Sequence, residues 1–248
     1  MKTNKHIFAL YAPTLSLSIV HKKNDLISLH DKDLYKRIFN VLRLEESDRV
    51  MLFDKNYHVE ICLSTTQQDK NMIVGRVAHI EKNVAPAPGI TFYQCVTKKN
   101  VFEDIVYTAT QMGVQTIIPV ISEKSERKWE PRETERLEKI IVAAIEQSKS
   151  FVFPHIAPAQ KLSEILKTTI KGTNILFDAH GQAARTLLEA PSNQQLNVML
   201  GAEGGLTDNE LANLCANGFN SYALTTSILR SRDAALVGLG LLRSLIRN

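Results

Sequence analysis

The apolar residues of this chain keep two different rhythms, and the change falls at residues 82–89. Before it the spacing is mostly near two: Leu15, Leu17 and Ile19, then Val50 and Leu52, then Val59, Ile61 and Leu63, then residues 73–80. A period of two puts alternate side chains on one face of a strand. Short runs of that kind, separated by turn residues such as Asp54, Lys55 and Asn56, predict a small antiparallel barrel or sandwich. One helix interrupts it over 33–42, with Leu34, Ile38 and Leu42 on one face and Lys36, Arg37 and Arg43 extending elsewhere. Residues 82–89 carry Pro86, Pro88 and Gly89 and no apolar period, so the domain boundary is placed there, giving domains 1–81 and 90–248.

Beyond the boundary, strand and helix patterns alternate. Strands are predicted at 90–96, 114–121, 174–177 and 197–200, and helices at 102–112, 132–149 and 162–167. That alternation predicts an α/β domain on a mainly parallel sheet. At 248 residues, 44% hydrophobic and 23% charged, both domains can bury a core, and a disordered or fibrous chain is excluded. Lys and Arg number 30 against 26 Asp and Glu, and the resulting +4 permits a nucleic-acid partner without requiring one. Cys62, Cys95 and Cys215 lie far apart, outside any CxxC or Cys/His spacing. Core thiols in a reducing compartment are therefore expected, rather than disulfides or a metal site. The N-terminus is polar and no uncharged apolar stretch reaches membrane-spanning length, so a soluble cytoplasmic protein with no membrane partner is expected.

Two segments carry chemistry. The apolar Val198, Met199 and Leu200 run into Gly201, Ala202, Glu203, Gly204 and Gly205, and Thr207 with Glu210 three residues on fits a helix capping box. Strand, glycine loop and capped helix in that order let backbone N–H groups approach a ligand closely. The glycines do not fall as GxGxxG, and GxxxxGK[ST] is also missing, so dinucleotide oxidoreductases and P-loop kinases are disfavoured. The second segment repeats the order: residues 220–224 as a strand, 225–230 as a loop containing Ile228, Leu229 and Arg230, and a long apolar helix from Ser231.

Together these segments resemble the ribosomal small subunit methyltransferase E family, uridine N3 methyltransferases of the SPOUT class of S-adenosylmethionine enzymes. The resemblance also takes in Val41, Leu42 and Arg43; Leu52, Phe53 and Asp54; and Met112, Gly113 and Val114, followed by Ile118, Pro119 and Val120 up to Ser122 and Glu123. It continues through Ala144, Glu146, Gln147 and Ser148, and through Pro154, His155 and Ile156. It implies an N-terminal PUA-like small β-barrel that binds RNA and a SPOUT α/β domain with a C-terminal trefoil knot. It implies methylation of N3 of a uridine in 16S ribosomal RNA, free or in the small ribosomal subunit. Carried over by residue, the S-adenosylmethionine site comprises Leu176, Phe177 and Asp178; Leu200, Gly201, Glu203, Gly204 and Gly205; and Leu224, Ser227, Ile228 and Leu229. Arg230 is the candidate catalytic residue, and Lys36, Arg37, Arg43, Lys98 and Lys99 are the candidate RNA contacts. Family members are homodimers. The last helix fits this, with Ala235, Leu239, Leu242 and Ile246 on one face, widened by Leu236, Leu241 and Leu245, and with Gly238 and Gly240 allowing close packing.

Several polar positions depart from the family pattern. Ala202 stands for proline, Thr225 for glycine, Ser227 for arginine and Arg232 for glutamate. His6, Lys124 and Ser150 stand for arginines, and Tyr107 and Gln111 for a lysine and a glutamate. Lost guanidinium forks change how phosphate is gripped. The departures keep open a non-catalytic RNA-binding or ribosome-assembly factor, or a methyltransferase with another RNA target. Asp178 and His180 are candidate bases, Glu203 a candidate loop-orienting group, and Glu146 with Gln147 either an interior polar pair or a substrate contact.

Overall fold

In the computed structural model, residues 6–18, 25–64, 71–125, 127–189 and 194–246 are described. The chain divides into one unit of residues 1–84 with 145–151, and a second of residues 85–144 with 152–248. In the first unit, β1 (Phe8–Tyr11) leads into the helical turn α1 (Leu15–Ser18), then β2 (Leu26–His30) and α2 (Lys32–Tyr35). A π-helical turn at Lys36–Val41 follows, then β3 (Arg49–Phe53), β4 (Tyr57–Ser64) and β5 (Met72–Lys82). The sheet runs β1-β3-β4-β5-β2 and is mixed: β1 lies parallel to β3 and the other neighbours are antiparallel. The period of two reports the core in β3 and β4, where Val50, Leu52, Val59, Ile61 and Leu63 are all buried.

Leu15 does not start a strand. The buried Asp54 carboxylate accepts from the Ser16 backbone N–H at 2.8 Å and from its hydroxyl, and these contacts hold the chain in the turn of α1. The side chain of Leu17 and all of Ile19 lie outside the described residues. Asp54 also accepts from the N–H groups of Asn56 and Tyr57, closing the β3–β4 turn. The helix expected at 33–42 is present as α2, capped by the Asp31 carboxylate, followed by the π turn, with Leu34 and Ile38 buried. Residues 145–151 belong to this unit through contacts of Glu146 and Phe151. Arg37 grips Glu146 with both guanidinium N–H groups, at 2.8 and 2.7 Å, while Glu146 also accepts from the Tyr11 N–H. The Phe151 ring packs on Phe53 and stacks on His58, its centroid 4.2 Å away.

The second unit contains β6 (Ile90–Cys95), α3 (Lys99–Gln111), β7 (Thr116–Ile121), most of α4 (Glu133–Ser148), β8 (His155–Ile156), β9 (Gln160–Lys161) and α5 (Leu162–Ile165). It continues with β10 (Thr173–Ala183), a 3-10 turn at Ala184–Glu189, β11 (Leu196–Leu200), α6 (Asp208–Ala216), β12 (Asn220–Ala223) and α7 (Ser231–Ile246). Every strand pairing is parallel, in the order β12-β10-β11-β6-β7-β8, with β9 also on β7. A parallel strand covered on both faces is apolar throughout, and each residue of β11 is buried. After β7 and β8 the chain returns to the other side of β6, so the strand order reverses at the β6–β11 pair. Open parallel sheets bind ligands at the carboxyl ends of their strands where the order reverses.

β10 runs past Phe177 only by looping out. Phe177 and Gln182 both lie opposite Tyr222, and residues 178–181 bulge between them. Gly181 makes this possible, since a Cβ there would lie 2.5 Å from the Tyr222 nitrogen. Ala235, Leu239 and Leu242 of α7 are buried by their own chain, so this face is core rather than a contact for a second copy. Gly238 is needed inside the same chain, because a Cβ there would lie 2.5 Å from Cε2 of Phe177. Leu236 and Val237 are the exposed apolar residues of α7, and the Ile246 side chain lies outside the described residues. Arg243 donates to the carbonyls of Met112, Gly113 and Pro88, binding α7 to the end of α3 and to the segment before β6. The cysteines differ from expectation: only Cys95 is buried, Cys62 is half-buried on β4, and Cys215 is exposed on α6. No described helix is long and apolar enough to cross a membrane.

Candidate functional site

The glycine loop after β11 is held from four sides. Its Gly201 carbonyl accepts from the Ser231 hydroxyl and from Nε2 of the buried Gln94, each at 3.2 Å, tying it to the start of α7 and the end of β6. Glu203 accepts from the Lys98 backbone N–H at 3.1 Å, joining the loop to the N-cap of α3. The Lys124 ammonium donates to the Leu206 carbonyl at 3.0 Å. The Thr207–Glu210 capping box forms as expected, and the second oxygen of the buried Glu210 accepts from the Glu123 N–H. Within the loop, Gly205 donates to the Ala202 carbonyl at a φ of 71°, which favours glycine, and nothing lies within 4 Å of where its Cβ would be.

The bulge at 178–181 and the loop before α7 face this turn. Asp178 accepts from the His180 N–H, and the Thr225 hydroxyl donates to the Ser227 carbonyl at 2.6 Å, each closing its loop locally. The three loops enclose a cavity of about 370 Å³. Phe177, Asp178, Leu200, Gly201, Glu203, Gly204, Gly205, Leu224, Ser227, Ile228 and Leu229 all line it. Leu176 does not; it is fully buried in the apolar cluster beneath, because alternate residues of β10 face opposite sides of the sheet. Lys124, His180, Asp208, Leu211 and Ala234 also line the cavity. The first turn of α6 was legible as an acidic helix start, but nothing in the spacing placed Asp208 or Leu211 at this wall.

Arg230 does not line the cavity, although Leu229 and Ser231 on either side of it do. It is exposed at the end of the third loop, immediately before α7. Lys36, Arg37 and Arg43 are exposed in the first unit, with Arg37 engaged by Glu146, and Lys98 and Lys99 are exposed in the second. Glu146 therefore serves an internal ion pair, and the Arg37 guanidinium beside it is held above its ordinary range, chiefly by their hydrogen bond. Burial pushes the Cys95 thiol up to about 12, so it is no nucleophile. No cluster of His, Cys, Asp or Glu suited to a metal ion occurs among the described residues.

Four of the departures from the family pattern have local explanations. Thr225 does not have a positive φ, so this loop has no conformational need for glycine. Arg232 pairs with Asp104 of α3 at 3.2 Å and with its neighbour Asp233, so the reversed charge meets carboxylates. Ala202 keeps the tight turn through its bridge to Gly205. Lys124 serves the glycine loop itself.

A parallel α/β domain whose three strand-end loops, one of them glycine-rich and backbone-lined, enclose a cavity is built to hold a small-molecule cofactor. Comparison with known proteins defines it further. The RNA methyltransferase domain matches residues 85–243, and the chain belongs to that family. Two similar curated proteins are both ribosomal RNA small subunit methyltransferase E. The one from Aquifex aeolicus is 26% identical over 87% of this chain and 93% of its own. The one from Rickettsia conorii is 27% identical over 90% and 91%. Among solved structures, the ribosomal RNA small subunit methyltransferase E of Neisseria gonorrhoeae bound to S-adenosyl methionine aligns with a TM-score of 0.80 at 22% identity, covering 97% of this chain and 98% of that one. A probable rRNA-methyltransferase from Porphyromonas gingivalis gives 0.74 at 24% identity, over 96% and 98%. The solved structures share the fold, and the curated relatives carry the name of the family that the sequence resembles.

Proposed function

We propose that this protein transfers the methyl group of S-adenosylmethionine to N3 of a uridine in 16S ribosomal RNA. The observation that carries the reading is the cavity at the strand ends, walled by eleven of the twelve residues that the family resemblance nominates, in a chain of the RNA methyltransferase family. The site suits the cofactor chemically. Apolar Leu206, Leu211, Leu224 and Ile228 offer walls for an adenine ring, the bare backbone at Gly204 and Gly205 offers close N–H and C=O groups, and Asp178 and Asp208 offer negative charge to a sulfonium and an ammonium. When bound, this cofactor supplies an electrophilic methyl carbon.

The protein's part is orientation and charge. Gln94, Ser231, Glu203 and Lys124 fix the glycine loop, which would hold a bound cofactor with its methyl carbon presented to the attacking nitrogen, opposite the sulfur that leaves as the thioether. Uracil N3 must lose its proton, leaving an anion spread over the two neighbouring oxygens. Arg230, exposed between Leu229 and Ser231 of the cavity lining, is the residue we assign to stabilise that anion. His180, in the looped-out segment that lines the cavity, is our candidate to take the proton.

The first unit, with its mixed five-stranded sheet, is read as a PUA-like barrel that docks RNA through Lys36 and Arg43, and residues 82–89 as the linker to the catalytic domain. A C-terminal trefoil knot is supported by β12 returning beside β10 while α7 packs Gly238 on Phe177 and Ser231 on Gly201. A homodimer is supported by the exposed Leu236 and Val237 of α7. With ribosomal RNA as its substrate, the protein is read as cytoplasmic. The test is transfer of labelled methyl from S-adenosylmethionine to ribosomal RNA and to small subunits. Arg230→Ala is expected to lower transfer while leaving cofactor affinity within about threefold, and equal loss of both would assign Arg230 to cofactor binding or folding.

A further inference from the structure

The turn after β7 brings a cation to the cavity wall. The Ser125 hydroxyl accepts from the Ser122 N–H at 2.9 Å, and the Ser125 N–H donates to the Ser122 carbonyl at 3.1 Å, closing a turn over residues 122–125. The buried Glu210 of α6 accepts from the Glu123 N–H at 2.8 Å and pins this turn to the helix that follows the glycine loop. Lys124 extends from the pinned turn past Gly204, where a Cβ would lie 3.5 Å from its Cδ, and its ammonium donates to the Leu206 carbonyl at 3.0 Å. Lys124 and Leu206 both line the cavity, and among the described lining residues Lys124 is the only lysine or arginine. Asp178, Glu203 and Asp208 give the same lining three carboxylates. An ammonium has three N–H donors, and a carbonyl takes one of them without neutralising the charge.

We infer that Lys124 binds the carboxylate of the cofactor's amino-acid moiety. The inference rests on S-adenosylmethionine being the cofactor, and it assigns the one charge of that molecule which the carboxylates of the wall cannot serve. The sulfonium and the ammonium are attracted by Asp178 and Asp208, whereas a carboxylate entering the same cavity is repelled by them and needs a cation. Asp208 stands two residues beyond Leu206, whose carbonyl directs the Lys124 ammonium. The wall thus offers a cation and an anion to a head group that carries an anion and a cation on one carbon. Bracing the loop alone would require a hydrogen-bond donor but no charge. The turn is fixed by its own serines and by Glu210, so the ammonium is held in place before the ligand arrives.

The experiment compares calorimetric titrations of the full-length protein with S-adenosylmethionine and with decarboxylated S-adenosylmethionine, which keeps the adenosine, the sulfonium and the amine but lacks the carboxylate. The unaltered protein is expected to prefer S-adenosylmethionine about fivefold. Lys124→Met should abolish that preference, and Lys124→Arg, which keeps the charge, should retain it. Loss of the bond to Leu206 or partial unfolding weakens both ligands alike, so the ratio of the two affinities isolates the carboxylate contact. No preference in the unaltered protein, or a preference that survives in Lys124→Met, overturns the assignment and leaves the methyltransferase reading intact. Binding of neither compound by the folded protein overturns both.

Discussion

Replacing Gly238 by alanine sets two physical effects of opposite sign against each other. In an exposed helix, glycine to alanine stabilises by about 1 kcal/mol through backbone entropy. Here the new Cβ would lie 2.5, 2.8 and 3.0 Å from Cε2, Cδ2 and Cζ of Phe177, where carbon atoms normally stay about 3.5–4.0 Å apart. The ring must retreat by about 1 Å, and overpacking of this kind costs about 1–3 kcal/mol. The clash should win, leaving a net destabilisation of about 1 kcal/mol. The ring also lines the cavity, so its displacement should weaken S-adenosylmethionine binding tenfold or more. Gly240, two residues along the same helix, has nothing within 4 Å of its Cβ position. Gly240→Ala should therefore show the entropic gain alone and leave cofactor affinity unchanged. Urea unfolding at matched protein concentration and calorimetric titration with S-adenosylmethionine measure both quantities. If Gly238→Ala stabilises as Gly240→Ala does and binds cofactor normally, the assigned packing of α7 on the cavity wall is wrong.

Arg243→Met should destabilise by about 2–3 kcal/mol in the same unfolding assay, since it strips the carbonyls of Met112, Gly113 and Pro88 of their donor; a neutral result would mean that these carbonyls find other partners. Glu133 predicts a pH dependence. Burial pushes its carboxyl up, but the Arg127 guanidinium and the Glu130 N–H outweigh that and hold it below the usual carboxylate range. A depressed folded value gives stability that is present above the unfolded value of about 4.3 and is lost as pH falls through the folded one. Glu133→Gln should be less stable at neutral pH and lose less on acidification below about 4.5; parallel curves for the two proteins would refute the assignment.

Much of the site was legible in the sequence because backbone geometry is written in residue type. The glycines at 201, 204 and 205, the Thr207–Glu210 cap and the apolar strands before each loop fixed local structure that reappears in the fold. The period of two in β4 and the parallel-sheet alternation after residue 89 likewise followed from burial on one face or two. Local pattern failed where a distant partner decided the conformation. The chain at Leu15 turned helical because Asp54, in the turn after β3, accepts from Ser16; Leu176, nominated by the resemblance, faces the core because alternate residues of β10 point to opposite sides of the sheet.

Three further points needed the tertiary structure. The resemblance implies a homodimer that the apolar face of α7 would fit, and only the tertiary structure showed that Ala235, Leu239 and Leu242 of this face are buried within the chain, with Phe177 against Gly238. The reversed charge of Arg232 kept alternative functions open in the sequence, and its partner, Asp104, 128 residues away, was visible only in the structure. The bulge at 178–181 had no signal beyond an isolated Gly181, because its cause is the approach of the Tyr222 backbone. Periodicity, capping and turn chemistry act over a few residues and are carried by the sequence itself; which strand, ring or carboxylate arrives from far along the chain is decided only when the sheet assembles.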